Sequence, residues 1–147
     1  METKLRSDSF NVFKKSAAAK FTLLPPRYKD NGWVDKQGCI LLEMAPSIGD
    51  KSYDWKNQKL TFAFGMNDLV SFFDDPSSSK WGSFFHDNDG TTKKLSITHG
   101  EGKYAGTFMM SLSSGDQRVS VSLSAGEFQV LGRLFTAALP KILSWEV

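Results

Sequence analysis

Apolar and polar residues alternate along most of the chain as far as Leu123, which is the pattern of strands with one buried and one solvated face. Residues 117–124 show it most clearly, because positions 119, 121 and 123 are valine or leucine and positions 118, 120 and 122 are arginine or serine. The same period occurs over residues 108–113, and Ser114-Gly115-Asp116 provides the turn between the two runs. With residues 94–99, which also alternate, these segments predict an antiparallel meander.

The N-terminal half repeats this pattern less regularly. Strands are predicted over residues 10–15, 17–24, 38–44 and 53–64. Turns are predicted at Pro25-Pro26, Asp30-Asn31-Gly32 and residues 46–50. The strands therefore fall into two groups of about four, which residues 67–75 divide.

Two segments depart from the period of two and predict helices. Residues 67–73 begin with a capping asparagine and precede Asp75-Pro76, which indicates a helix of about two turns. A longer C-terminal helix begins at Ser124, because Ser124 and Glu127 have the spacing of a capping box. Pro140 lacks the N–H that would bond to Thr136, so we expect a kink or a break near residue 140.

The C-terminal helix is apolar over more than half of its circumference. Val130, Leu134 and Ala137 widen the apolar arc beyond what one sheet face covers, and an exposed patch of that kind is typical of an interface. The alternative is that both sheets of one protomer enclose the helix. We predict an oligomer with the interface residues Phe128, Leu131, Leu134, Phe135 and Ala138.

Length and composition predict one domain without disulfides or membrane spans. The chain has 147 residues, 40% of them hydrophobic, and its one cysteine, Cys39, excludes an intrachain disulfide and a cysteine-based zinc site. No apolar run approaches the ~20 residues that cross a bilayer. Residues 1–9 lack the apolar segment of a secretory signal and do not form a whole transit peptide. We expect a flexible segment over residues 1–9 and a single domain over residues 10–147.

The positive charge is concentrated in the N-terminal half. The formal net charge is only +2, but eleven basic and seven acidic residues precede Leu60, whereas seven basic and nine acidic residues follow from there. The excess is sharpest over residues 9–29, which contain five basic residues and no acid. This half is the predicted site for a polyanionic partner.

Motifs for catalysis are weak. His86 and His99 lack the spacing of a metal pair, and we interpret His86-Asp87 as a turn histidine beside a capping carboxylate. Gly100-x-Gly102 lacks the third glycine of a dinucleotide loop, and we interpret it as a hairpin turn. Asp74-Asp75 lies in a polar loop and does not resemble an acid/base pair. We therefore expect no catalytic residues, no metal and no cofactor.

Binding of single-stranded nucleic acid has better candidates in the N-terminal half. Lysines that neutralise phosphates and aromatic rings that stack on bases are what binding without base readout requires. The candidates are Phe13, Lys14, Lys15, Lys20, Trp33, Tyr53, Trp55 and Lys56. Tyr53 and Trp55 would share one strand face, with Lys56 beside them. The alternative is that Phe21, Tyr53 and Trp55 belong to the core, since aromatic side chains dominate cores.

Several motifs resemble those of the Whirly family, the plant and algal single-stranded DNA-binding proteins. The matching stretches are Tyr53-Asp54-Trp55 with Lys59-Leu60, Phe84-Phe85-His86-Asp87, Lys93-Lys94-Leu95-Ser96-Ile97, Ala125-Gly126-Glu127-Phe128 through Phe135, Ala138-Leu139-Pro140 and Trp145. The resemblance implies an α+β fold, with two antiparallel four-stranded sheets packed against a short helix and a long C-terminal helix. It also implies a homotetramer assembled through the helices.

The implied function is largely sequence-independent binding of single-stranded DNA along sheet edges, in an organelle (plastid or mitochondrion) or in the nucleus. It would protect organellar DNA in repair, recombination or transcription. The trypanosome guide-RNA-binding proteins are similar in fold, so an RNA-binding or annealing protein is one alternative. A ligand-carrying β-protein is another. The family's K-G-K-A-A-L motif falls on Lys14-Lys15-Ser16-Ala17-Ala18-Ala19, where the glycine and the second lysine are replaced, so assembly beyond the tetramer is left open.

Overall fold

The computed structural model describes residues 8–88 and 90–145, which form two antiparallel sheets, a small hairpin and two α-helices. The strands are β1 (Phe10–Phe13), β2 (Ala17–Leu24), β3 (Arg27–Tyr28), β4 (Val34–Lys36), β5 (Cys39–Gly49), β6 (Ser52–Tyr53), β7 (Leu60–Phe64), β8 (Ser83–Asn88), β9 (Thr91–His99), β10 (Phe108–Ser114) and β11 (Gln117–Leu123). The helices are α1 (Met66–Phe72) and α2 (Ala125–Ile142), and a 3-10 turn spans Gly102–Tyr104. Residues 1–7, most of the segment predicted to be flexible, lie outside the described residues.

The first sheet has four main strands in the order β1, β2, β5 and β7, and the short β6 pairs with the far end of β5. Its register places Val12, Ala19, Met44 and Leu60 side by side across the four strands. All four side chains are buried, so this row belongs to the inner face. The adjacent positions in sequence point outward, as the pleat requires.

The second sheet is the predicted meander, with the strand order β8, β9, β10 and β11. Leu112 pairs with Leu95 on one side and with Val119 on the other, and all three are buried. The period of two therefore identified both the strands and the face that packs inward.

Aromatic side chains join the helices to the sheets. Phe135 of α2 lies 5.1 Å from Phe64 and 6.2 Å from Phe21, measured between ring centroids, and Phe72 of α1 lies 4.8 Å from Phe135. Each of these rings is at least nine-tenths buried. Burying a phenylalanine contributes roughly 1.5–3 kcal/mol, so this contact fixes α2 against the first sheet.

Helix α2 begins as predicted but does not break at Pro140. The Ser124 hydroxyl accepts the Glu127 N–H at 3.1 Å, and the Glu127 carboxylate accepts the Ser124 N–H at 2.8 Å, which completes the capping box. Pro140 lies inside the helix, which continues to Ile142. Only one backbone bond is lost there, close to the C-terminus, so the helix does not break at Pro140 itself, and the kink stays a prediction.

Two strand boundaries in the N-terminal half also differ from the prediction. Strand β5 continues to Gly49 through the turn predicted at residues 46–50, and Pro46 pairs there with Ala17 of β2. The strand predicted over residues 53–64 is interrupted after Tyr53. There the Asp54 carboxylate accepts the Asn57 N–H at 3.0 Å and closes a turn before β7.

Strands β3 and β4 form a hairpin that leaves the first sheet and rests on the end of α2. The Gly38 N–H donates to the Ile142 carbonyl at 3.0 Å. A Cβ at position 38 would lie 2.6 Å from the Leu24 carbonyl oxygen, so the close approach requires glycine.

Neither helix in residues 8–88 and 90–145 is long and apolar enough to cross a membrane.

Candidate nucleic-acid interface

Two concave surfaces meet at Phe13, whose side chain is 61% exposed at the end of β1. The smaller has a volume of about 360 Å³ and is lined by Asn11, Phe13, Lys20, Glu43, Trp55 and Lys59. The larger, of about 780 Å³, is lined by Phe13, Lys14, Lys15, Ser47, Gly49, Asp50, Lys51 and Tyr53. We call these two concavities together the Phe13 surface. It contains six of the eight predicted binding residues.

The register of the first sheet positions Lys20 on the outer face. Asn11, Lys20, Glu43 and Thr61 are cross-strand neighbours on β1, β2, β5 and β7. Glu43 is neutralised by Lys59, whose Nζ lies 2.9 Å from the Glu43 Oε2. Lys20 makes no ion pair within the described residues. Its charge is therefore available to a ligand beside Trp55.

Tyr53 fixes the start of the β1–β2 turn and packs against Phe13. The Tyr53 hydroxyl donates to the Lys14 carbonyl at 2.6 Å, and the Phe13 and Tyr53 ring centroids are 5.8 Å apart. Both rings are oriented by these contacts, although Phe13 remains largely exposed. An oriented exposed ring is suited to stacking on a base because little side-chain entropy is lost on binding.

Lys14 differs from the other lysines because it is paired with α2. Its Nζ lies 2.7 Å from the Glu127 Oε1, the same carboxylate that caps the helix. Partial burial disfavours ionisation of Glu127, but the hydrogen bonds from Lys14 and Ser124 and the charge of Lys14 outweigh it and lower the pKa of the carboxyl. The ion pair is thus formed at neutral pH.

Lys15 and Lys51 supply the uncompensated charge of the larger concavity. Both are exposed, and neither makes an ion pair within residues 8–88 and 90–145. The same concavity contains Asp50, which removes part of the positive charge. Asp50 and Lys51 have φ values of 47° and 60°, the left-handed backbone that makes the turn between β5 and β6 so tight.

The structure leaves two predicted residues outside the Phe13 surface. Trp33 is 75% exposed but belongs to the β3–β4 hairpin, at the other end of β2 from Phe13. The eight residues of β2 span roughly 25 Å at about 3.3 Å each, so Trp33 is remote from the other candidates. Lys56 is exposed in the turn after Trp55 and lines neither concavity. Tyr53 and Trp55 do not share a strand face, because β6 ends at Tyr53.

Sequence reasoning missed Lys51 and Glu127 at this surface. Lys51 adjoined a predicted turn that is in fact the end of a strand. Glu127 was identified only as a capping residue, and nothing in the spacing of Lys14 and Glu127, 113 positions apart, indicates that they meet.

His86 has a structural partner other than the predicted one. It lies in β8, where its Nε2 is 2.9 Å from the Asp68 Oδ2 and its ring stacks on Phe62 at 4.0 Å. The same Asp68 oxygen accepts the Gly65 N–H at 2.9 Å and caps α1. Since His86 lies within a strand, the prediction of a turn histidine is wrong. In residues 8–88 and 90–145, no group of three or more histidine, cysteine, aspartate or glutamate side chains could hold a metal ion.

The family profile described as Whirly transcription factor matches residues 12–134, which include every residue of the Phe13 surface except Asn11. The chain belongs to the Whirly family. Among solved structures, the crystal structure of WHY1 from Arabidopsis thaliana is similar, with a TM-score of 0.82 and 24% identity, covering 99% of this chain and 89% of that one. WHY3 from Arabidopsis thaliana gives a TM-score of 0.79 at 24% identity, covering 97% and 92%. These likenesses confirm the Whirly fold, with its antiparallel sheets and C-terminal helix.

Two curated relatives are named as single-stranded DNA-binding proteins. Mitochondrial WHY2 from Arabidopsis thaliana is 28% identical over 158 residues, covering 92% of this chain, and chloroplastic WHY1 from Zea mays is 24% identical over 156 residues, covering 93%. This Whirly chain spans 63% and 56% of their respective lengths.

The helix that the Whirly resemblance assigned to assembly exposes a narrower apolar face than predicted. Leu131, Phe135 and Ala138 are at least 95% buried against the protomer's own sheets, so assigning them to an interface is wrong. Both sheets and α1 already cover that side of α2. Phe128 stacks on Phe108 with ring centroids 3.8 Å apart and is only partly exposed. Leu134, together with Val130, is 44% exposed and available to a second chain.

Proposed function

We propose that this chain binds single-stranded DNA with little sequence preference and catalyses no reaction. The supporting observation is the Phe13 surface, where an exposed, oriented aromatic ring lies among lysines. Three of them, Lys15, Lys20 and Lys51, make no ion pair within the described residues. Stacking contributes about 1–3 kcal/mol per base and tolerates any base, because every base has a flat face. The lysines of the Phe13 surface would neutralise phosphates, which carry no sequence information.

The relatives support this proposal. Their names describe single-stranded DNA-binding proteins of chloroplasts and mitochondria. We propose single-stranded DNA as the ligand of this chain too, because residues 12–134 match the family and contain the basic and aromatic residues of the Phe13 surface. The same relatives support an organellar location, in a plastid or a mitochondrion. Protection of exposed DNA strands there is part of our proposal.

We further propose that the chain assembles as a homotetramer through the exposed face of α2. Leu134 and Ala137 line an apolar concavity of about 420 Å³ between α2 and the first sheet, together with Phe10, Phe21 and Leu23. A second α2 packed into it would cover apolar surface that a single protomer leaves in water.

The test is a fluorescence anisotropy titration over a salt series. The labelled probes are single-stranded DNA, duplex DNA and RNA of one mixed sequence, about 32 nucleotides long, which is enough for several stacked bases. We expect single-stranded DNA to bind most tightly, with affinity falling as salt rises and varying little between scrambled sequences. RNA binding equal to or tighter than DNA binding would favour an RNA-binding protein instead. Absent or salt-independent binding to all three probes would contradict the proposal.

A further inference from the structure

The Lys14–Glu127 ion pair lies where a bound strand would need a free cation. The two side chains are 32% and 28% exposed, so solvent and ligands reach both. Lys14 lines the larger concavity of the Phe13 surface beside Phe13 and Lys15. A carboxylate oxygen 2.7 Å from the Nζ occupies the position that a phosphate oxygen would take.

Both members of the pair are held in place from outside the pair. The Tyr53 hydroxyl fixes the backbone of Lys14 at 2.6 Å, and the Ser124 N–H fixes the Glu127 carboxylate at 2.8 Å. The bond from Ser124 therefore opposes rotation of the Glu127 carboxylate into solvent, and the bond from Tyr53 fixes the backbone from which the Lys14 side chain extends. Lys14 does not contribute a free charge to the surface while the pair persists.

Glu127 has an alternative source of stabilisation when Lys14 leaves. It occupies the third position of α2, where the N-terminal end of an 18-residue helix favours a negative charge, and its bond to Ser124 is independent of Lys14. Exchange of Lys14 from the carboxylate to a phosphate therefore leaves no carboxylate unsatisfied.

We infer that Glu127 competes with the strand's phosphates for Lys14 and so limits the affinity of this surface for single-stranded DNA. The inference rests on the proposed function and assigns Glu127 as a residue that determines affinity rather than one that contacts DNA. It also places the competitor in the first turn of α2, the helix proposed for assembly.

The substitution Glu127→Gln separates this role from helix capping. Glutamine still accepts the Ser124 N–H in a capping box but carries no charge, so Lys14 becomes free. We expect E127Q to bind a mixed single-stranded DNA oligonucleotide about 3- to 10-fold more tightly at low salt, with log Kd against log salt steeper by about 0.7, the increment for one more phosphate contact.

Two controls isolate the local effect. Glu101→Gln removes the same charge from the exposed connection between β9 and β10 of the second sheet, so it reports the effect of net charge alone. The double variant K14Q/E127Q removes the freed lysine, so the gain should disappear. An E127Q slope and affinity equal to those of E101Q would overturn the inference, as would weaker binding by an E127Q protein with unchanged melting temperature.

A second variant covers the case in which E127Q is destabilised. Glu127→Asp keeps the charge but shortens the side chain by one methylene group, so it draws the carboxylate away from Lys14, and we expect a smaller gain in affinity. No gain in this variant would also contradict the competition. If the unaltered protein binds no single-stranded DNA, the proposed function fails. If it binds and these variants change nothing, only the competition fails.

Discussion

The Phe13 and Tyr53 rings lie 5.8 Å apart, and the Tyr53 hydroxyl anchors the backbone directly after Phe13. This pair makes Phe13 a rigid, exposed platform at the junction of the two concavities. A residue in this position should contribute to binding through stacking, independently of the base it meets.

Phe13→Ala is therefore expected to weaken binding of single-stranded DNA by about 1–3 kcal/mol, by a similar factor for several unrelated sequences. Anisotropy titrations of the variant provide the measurement. Phe85→Ala is the matched control, because Phe85 is 57% exposed on the second sheet and should leave binding unchanged. A loss confined to one sequence would indicate base readout and contradict stacking.

Lys20→Gln should reduce the salt dependence of binding, because Lys20 lines a concavity with Trp55 and makes no ion pair in the part of the chain that the structure describes. We expect the slope of log Kd against log salt to fall by about 0.7, the value for one phosphate contact with a single strand. Lys80→Gln, in the polar loop before β8, is the control with the same charge change. Equal slopes in the two variants would show that Lys20 makes no phosphate contact.

Leu134→Asp should dissociate the assembly while the protomer remains folded. Leu134 is 44% exposed, so a charge there is solvated in a monomer but costly in an apolar interface. Multi-angle light scattering measures the mass, and Thr136→Asp on the polar side of α2 is the control. A tetramer that survives L134D would exclude this face.

Phe135→Ala, by contrast, should lower the free energy of unfolding by about 3–5 kcal/mol, since Phe135 is in the core.

The lowered pKa of Glu127 predicts a pH dependence of stability. Its pKa in the folded protein is below the ordinary 4.5, so the charged form is favoured by folding. The stabilisation is present above the unfolded pKa and is lost as the pH falls through the folded value. Urea denaturation at fixed protein concentration should show that the advantage of the unaltered protein over E127Q shrinks below about pH 4.5. A difference that is constant from about pH 7 to 3 would contradict the ion pair.

The sequence predicted the second sheet and both helices because their signals are local. Alternation along β10 and β11 and the Ser124–Glu127 spacing depend only on neighbouring residues. The errors arose at the two prolines, because a proline does not by itself end an element: β5 continues through Pro46, which pairs with Ala17, and α2 continues two residues past Pro140.

Only part of the candidate site was predicted, because the site depends on tertiary contacts as well as on local signals. Phe13, Lys20 and Trp55 were identified from a shared composition, but only the strand register brings them together. Trp33 has the same composition around it and is separated by the length of β2. The interface residues on α2 were overestimated, because periodicity identifies an apolar face without showing how much of it the protomer itself covers.

Photo-crosslinking locates the bound strand most directly. A single-stranded DNA oligonucleotide with 5-iodouracil in place of thymine would be irradiated in complex with the protein, and crosslinked peptides would be identified by mass spectrometry. We predict crosslinks at Phe13, Tyr53 or Trp55. Crosslinks confined to the β3–β4 hairpin or to the outer face of the second sheet would contradict the assignment of the Phe13 surface.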